Sequence, residues 1–89
     1  MKWNYELRCG RALRRAIEDE DLEKVLLTLR QAYRELLRAG YIDEDDYEEY
    51  TSNIDYQLED TDNLDEDEVD YELSDFYDLC DNLRIWVSM

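Results

Sequence analysis

Residues 42–83 read IDEDDYEEYTSNIDYQLEDTDNLDEDEVDYELSDFYDLCDNL, and their composition and spacing decide which fold the chain can adopt. This stretch holds 19 acidic residues and no lysine or arginine. Apolar and aromatic residues recur among the acids at intervals of three and four, the spacing of one face of an amphipathic helix. A disordered acidic tail lacks this pattern, because it has too few apolar residues to bury. The stretch therefore predicts folded helices that carry a rigid negative surface.

Two helices are predicted to begin with the same order of residue types, in the segments IDEDDY at 42–47 and LDEDEV at 64–69. In each segment an Asp, Asp43 or Asp65, can accept hydrogen bonds from the free amides of the first helical turn. The acidic residue three positions after each Asp can accept a hydrogen bond from the backbone amide of that Asp, as in a capping box. The apolar residues at the two ends of each segment have the spacing of a hydrophobic staple. The pattern predicts a third helix that buries Tyr47, Tyr50, Thr51, Ile54 and Leu58, and a fourth that buries Val69, Leu73, Phe76, Tyr77, Cys80, Leu83 and Val87. Residues 59–63 are predicted to connect them.

The first 40 residues predict two more helices. From about residue 4 to residue 18, apolar residues recur at helical spacing, and Gly10 lies within this helix, either where another helix approaches closely or in a ragged first turn. The clearest stripe in the chain predicts a second helix over 22–37, with Asp19 or Asp21 as its cap. Gly40 is placed to end that helix in the left-handed conformation.

These elements predict an all-α fold, a compact bundle of about four amphipathic helices joined by short loops, in one domain over residues 1–89. An 89-residue chain without proline and with only two glycines has few residues that interrupt helices. Cys9 and Cys80 lack metal-ligand spacing and are expected to be buried in a reduced, cytoplasmic protein. No secretory signal and no long apolar run is present, so no role in a membrane is expected.

Charge is divided unevenly along the chain. Residues 1–38 hold 9 basic and 7 acidic side chains, whereas residues 39–89 hold 1 basic residue, Arg84, and 19 acidic ones. Even complete internal pairing would leave 16 carboxylates without a partner. Such self-repulsion weakens a fold, so its retention favours a use in binding. Salt adaptation would spread acids over the whole chain, which this sequence does not do.

Residue patterns for catalysis are missing. The chain has no histidine, no Gly-rich phosphate loop and no nucleophile motif. The loop from Asp60 departs from the calcium-binding EF-hand pattern, with Asp65 where the sharp-turn glycine belongs and Tyr71 at the twelfth position. We therefore expect a protein that is not an enzyme and has no cofactor and no dedicated metal site.

The spacing of the acids suggests what their surface does. Acids four residues apart on a helix are about 6 Å apart along its axis. Duplex DNA carries one charge per ~1.7 Å of axis, so two neighbouring acidic helices approach the charge density of a nucleic-acid backbone. Tyrosines 41, 56 and 71 would add flat anchors if they are exposed. The predicted partner-binding residues are Asp43, Glu44, Glu48, Asp55, Glu59, Asp67, Asp70, Glu72, Asp75, Tyr56 and Tyr71.

Small size, strong acidity and the Asp/Glu/Tyr-rich helices of residues 42–83 resemble the DNA-mimic inhibitors of phages and mobile elements, which include anti-CRISPR and anti-restriction proteins. The resemblance implies a cytoplasmic inhibitor that occupies the nucleic-acid groove of a basic protein, foremost a CRISPR nuclease, without binding nucleic acid itself. It does not account for the balanced first 40 residues.

Two alternatives remain open. One is an acidic helical adaptor or antitoxin-like module that masks a basic protein partner, and the other is a homo-oligomer that uses its Arg-rich helices as the contact. The oligomeric state stays open between monomer and dimer. The segment 84–89 either closes the core or exposes Trp86 as an anchor, and Val87, which continues the apolar stripe, favours the core.

Overall fold

The computed structural model describes residues 3–87 and contains four α-helices, two short strands and one 3-10 turn. The all-α class and the bundle of four helices are confirmed. In chain order the elements are β1 (Tyr5–Glu6), α1 (Gly10–Glu18), α2 (Leu22–Arg38), α3 (Glu44–Leu58), the 3-10 turn (Thr61–Asn63), α4 (Glu66–Asn82) and β2 (Ile85–Trp86). Residues 1, 2, 88 and 89, which the single-domain prediction included, lie outside the described part.

Helix α2 is the centre of the bundle, because α1, α3 and α4 all pack against it. Its Tyr33 joins the two acidic helices. The Tyr33 ring stacks on Tyr50 of α3 at 5.2 Å between centroids, and Phe76 of α4 meets it edge-on at 5.1 Å. Aromatic contacts of this geometry add to the stabilisation that burial provides. The fold therefore holds α3 and α4 in fixed positions on a common support.

Three predicted caps are present. The carboxylate of Asp21 accepts a hydrogen bond from the backbone amide of Lys24 and so caps α2. Asp43 and Asp65 likewise accept hydrogen bonds from first-turn backbone amides of α3 and α4. Gly40 ends α2 with a φ of 85°, the left-handed conformation that glycine adopts without a Cβ clash. Of the two Asp residues proposed to cap α2, Asp21 does so and Asp19 ends α1.

The predicted first helix begins six residues too early, since α1 starts only at Gly10. Residues 5 and 6 instead form β1, which pairs in parallel with β2, with Tyr5 opposite Ile85. Glu35 of α2 fixes the segment that runs from β1 to α1. Its carboxylate accepts hydrogen bonds from the Tyr5 hydroxyl at 2.8 Å and from the Arg8 backbone amide at 2.7 Å. A charged acceptor is a strong partner for free amides before a helix. Gly10 is buried at the first position of α1.

The fourth helix was predicted to continue to Val87, but it ends at Asn82. Arg84 takes a positive φ of 56°, and the chain turns into β2. Successive residues of a strand point to opposite sides, so Ile85 enters the core and Trp86 lies outside. The preference for a buried Trp86 is therefore wrong, and its ring packs at 5.3 Å against Trp3. No helix within residues 3–87 is long and apolar enough to cross a membrane.

Candidate partner-binding surface

Most of the acidic side chains of residues 42–83 face solvent. Of the 19, Glu72 is buried, Asp46 and Asp55 are half-buried, and the other 16 are exposed. Among the described residues the only one of the 19 in an ion pair is Asp55. We call the acids of residues 43–81 that reach solvent, together with the exposed side chains among them, the acidic surface. Its charge is available to an external partner because the chain itself does not neutralise it.

Most of the predicted partner-binding residues are exposed in the structure. Tyr56 and Tyr71 are 74% and 66% exposed, so each offers a flat ring among carboxylates. Large, rigid and partly polar side chains of this kind often dominate binding energy at interfaces. Nine of the eleven predicted residues are exposed, namely Asp43, Glu44, Glu48, Glu59, Asp67, Asp70, Asp75, Tyr56 and Tyr71.

Glu72 does not belong to the surface, and its predicted contact with a partner is corrected. Its side chain is 6% exposed and accepts a hydrogen bond from the Asn53 amide of α3. Glu72 stands three residues after Val69 and four before Phe76, so it faces the core side of α4. That spacing was visible in the sequence. Glu72 instead ties α4 to α3, and it adds to the effect of burial in raising the pKa of the Tyr33 hydroxyl.

Asp55 is only partly available to a partner, because its Oδ1 already forms an ion pair with the Nε of Arg30 in α2 at 3.0 Å. About half of each side chain is exposed, and an ion pair in that setting stabilises little. The pair nevertheless cancels one charge of the acidic surface. A partner that binds Asp55 would have to displace Arg30 or add to it.

Tyr41 is not an exposed anchor. Its ring packs 5.5 Å from Tyr5, and its hydroxyl donates to the Asn4 carbonyl at 3.2 Å. Tyr47, Tyr50 and Tyr77, which were predicted to be in the core, are partly buried and pack against it. Tyrosines on the apolar faces of α3 and α4 therefore pack against the core, whereas Tyr56 and Tyr71 lie off those faces and are exposed.

A cavity of about 430 Å³ beside Asp70 was not predicted. The end of α1, the start of α2 and the start of α4 enclose it. Its floor is apolar and includes Val25 and Leu73, whereas Glu20, Glu66 and Asp70 stand at its edge. An apolar floor with a carboxylate rim suits the long stem and charged head of a Lys or Arg side chain. No short-range sequence signal could reveal it, because α1, α2 and α4 meet only in the folded chain.

The described residues offer little for chemistry. Residues 3–87 contain no group of three or more His, Cys, Asp or Glu side chains arranged to hold a metal ion. Burial raises the pKa of the Cys9 and Cys80 thiols to about 12, so both are protonated at neutral pH. A protonated thiol is a poor nucleophile.

Comparison with known proteins found no matching family model, no matching curated protein and no matching solved structure.

Proposed function

We propose that the protein is a non-enzymatic inhibitor that mimics nucleic-acid charge and occupies the basic nucleic-acid-binding groove of a nuclease. A CRISPR effector is the first class of target to test. The observation that carries the proposal is the set of 16 exposed carboxylates in residues 42–83, none of which has an ion-pair partner within residues 3–87. A groove lined with Lys and Arg recognises phosphates largely through charge, so a rigid carboxylate array can compete for it.

Rigidity supports this mechanism. Helices α3 and α4 are both anchored to Tyr33, and the Asn53–Glu72 hydrogen bond joins them directly. Carboxylates on a preorganised support lose little conformational freedom on binding. The strong negative field would speed the encounter with a basic groove, and this steering would weaken as salt is added.

Specific contacts would add to the general charge attraction. The exposed rings of Tyr56 and Tyr71 can pack against Arg or Lys side chains of the target. The cavity beside Asp70 can accept one such side chain along its apolar floor. The inhibitor, encoded by a phage or mobile element, would act in the bacterial cytoplasm, where the proposed nucleases work.

The test is competition binding against a panel of purified nucleases that includes CRISPR effectors. Duplex DNA should displace the protein from its target, and the protein should block cleavage. Glu44→Gln together with Glu48→Gln should weaken binding about tenfold, since both side chains are exposed acids of α3. Glu6→Gln with Glu23→Gln is the matched control, because it removes the same charge from exposed positions outside the acidic surface.

Two outcomes would contradict the proposal. One is equal weakening by the site and control variants, which would mean that only net charge matters. The other is a partner that binds tightly and is released by salt but not by nucleic acid. The second outcome would support the acidic adaptor or antitoxin-like module instead.

A further inference from the structure

Helix α2 exposes a basic stripe on the side away from the core. Its members recur at intervals of three and four and are all exposed: Lys24, Leu27, Gln31, Arg34 and Arg38. None of the three cations in this stripe has an ion-pair partner within residues 3–87. Leu27 is 44% exposed and lies on the same side of the helix, between Lys24 and Gln31.

Helix α4 exposes an acidic stripe of the same design. Its members recur at intervals of four and three and are also all exposed: Asp67, Tyr71, Ser74, Asp78 and Asp81. They lie opposite Val69, Phe76 and Cys80, which enter the core. Lys24 and Arg38 are 14 residues apart, as are Asp67 and Asp81, so each stripe extends about 21 Å along its helix.

The two stripes match position by position when the helices are laid side by side in the same direction. Lys24 meets Asp67, Arg34 meets Asp78, and Arg38 meets Asp81. Between these charge pairs, Leu27 meets Tyr71 and Gln31 meets Ser74. The result is an apolar contact and a polar contact surrounded by ion pairs, which is the usual anatomy of a protein interface.

We infer that the basic stripe of one copy binds the acidic stripe of a second copy. Both helices pack into the same bundle, so one chain cannot bring its own two exposed stripes together. The contact uses different surfaces on the two partners, so each added copy leaves one stripe of each kind free. The assembly is therefore head-to-tail, either an open chain whose length rises with concentration or a ring if the rotation between copies closes.

Net charge does not prevent this association at physiological salt. Each copy carries a formal charge of -16, which repels other copies over long distances. At about 0.15 M salt the Debye length is only about 8 Å, so distant charges are screened while partly buried contact pairs are screened less. Association is expected to be strongest at intermediate salt, weakened by repulsion below that range and by loss of the ion pairs above it.

Sedimentation velocity over a range of protein concentrations tests the contact, using single charge reversals at one matched position of each stripe. Arg34→Glu and Asp78→Arg should each weaken self-association. The double variant Arg34→Glu/Asp78→Arg should restore it, because the pair is present again with reversed charges. Neither site lies in a helix cap, and circular dichroism would verify that each variant is folded.

Net charge is controlled within this set. Asp78→Arg makes the chain less negative and yet should associate less than the wild type, whereas the double variant has the wild-type charge. A wild type that stays monomeric at every concentration and salt level overturns the inference. So does an Arg34→Glu variant that associates normally, or a double variant that is not restored.

Self-association would also cover Asp67 and Tyr71. On the function proposed above, a second copy would then compete with the nuclease for the same residues. The sedimentation experiment contains no nuclease, so its result stands or fails independently of that function.

Discussion

Gln57 is a buried polar residue whose side-chain amide lacks hydrogen-bond partners among the described residues. Its side chain is 7% exposed, and within residues 3–87 neither its amide nitrogen nor its amide oxygen has a hydrogen-bond partner. Burying such a group without a partner costs about 1–3 kcal/mol. Gln57 stands three residues after Ile54, so the helical spacing of α3 places it on the core side, but that spacing does not show whether a hydrogen-bond partner meets it there.

Replacement of Gln57 by Met should therefore stabilise the protein. Met has a similar shape and no unpaired polar group, so Gln57→Met should raise the free energy of unfolding by about 1 kcal/mol. Urea unfolding followed by circular dichroism measures this change. Gln31→Met, at an exposed position of α2, is the control and should change little. A destabilised Gln57→Met variant would show that the amide has a partner, such as a bound water.

The thiols of Cys9, which is half-buried although it was expected to be buried, and of Cys80, which is buried, predict how stability depends on alkaline pH. Burial raises the pKa of Cys9 and Cys80 from the ordinary value of 9.0 to about 12. Below about pH 9 both thiols are protonated in the folded and unfolded chains, so they add no pH dependence. Between about pH 9 and about pH 12 the unfolded chain releases protons that the folded chain retains, and stability falls as pH rises.

Urea unfolding at about pH 8 and about pH 10.5 should therefore show a loss of stability at the higher pH. The variant Cys9→Ala/Cys80→Ala should lose less than the wild type between these two values, although its stability at pH 8 is lower because of the cavity left behind. Equal losses in the two proteins would mean that the thiols are not responsible for the fall in stability.

At the scale of the elements, α3 begins at an aspartate that has both a structural and a proposed binding role. The Asp43 carboxylate accepts from the Asp46 amide at 2.8 Å and also carries one of the charges of the acidic surface. Asp43→Ala should cost about 1 kcal/mol of stability by removing the cap. Asp43→Asn keeps a side-chain acceptor and should remain close to the wild type.

Thermal unfolding of the two variants separates the cap from the charge. If Asp43→Asn is stable but binds the proposed target more weakly, the charge acts in binding. If both variants lose equal stability, the benefit at this position comes from the negative charge near the helix N-terminus and not from the hydrogen bond.

At the scale of the whole molecule, charge repulsion should make the fold sensitive to salt. The 16 unneutralised exposed carboxylates repel one another, and added salt screens them. The melting temperature should therefore rise as NaCl is added at neutral pH. Differential scanning calorimetry measures this rise. The variant Glu48→Gln/Glu49→Gln should melt at a higher temperature in low salt and respond less to added NaCl.

A melting temperature that is flat or falls with salt would contradict this account. It would mean that attraction between the Arg-rich elements and the acids outweighs repulsion among the acids. The described structure shows two ion pairs, Arg14–Glu18 and Arg30–Asp55, both well exposed, which argues against that balance.

The sequence by itself determined the helical class, the position of α2, and the caps of α3 and α4. These are local properties: apolar spacing selects the buried face of a helix, and an Asp before a first turn satisfies amides only a few residues away. It also determined that residues 42–83 carry an acidic surface, because exposed positions on amphipathic helices follow from the same spacing. Tyr41, Tyr56 and Tyr71 were proposed as anchors on condition that they are exposed, and the structure meets that condition for Tyr56 and Tyr71 only.

Only the tertiary structure decided the features that join distant parts of the chain. Residues 5–6 became a strand because residues 85–86 lie beside them and Glu35 binds the junction, and no local pattern encodes either contact. Trp86 turned outward for the same reason, since strand alternation replaced the helical stripe that Val87 suggested. Helical spacing put Glu72 and Gln57 on the core sides of their helices, but the assembled bundle decided their partners: Asn53 donates to Glu72, and Gln57 has no hydrogen-bond partner within residues 3–87. Burial of a polar residue depends on what the fold places over it, which is a property of the assembled bundle.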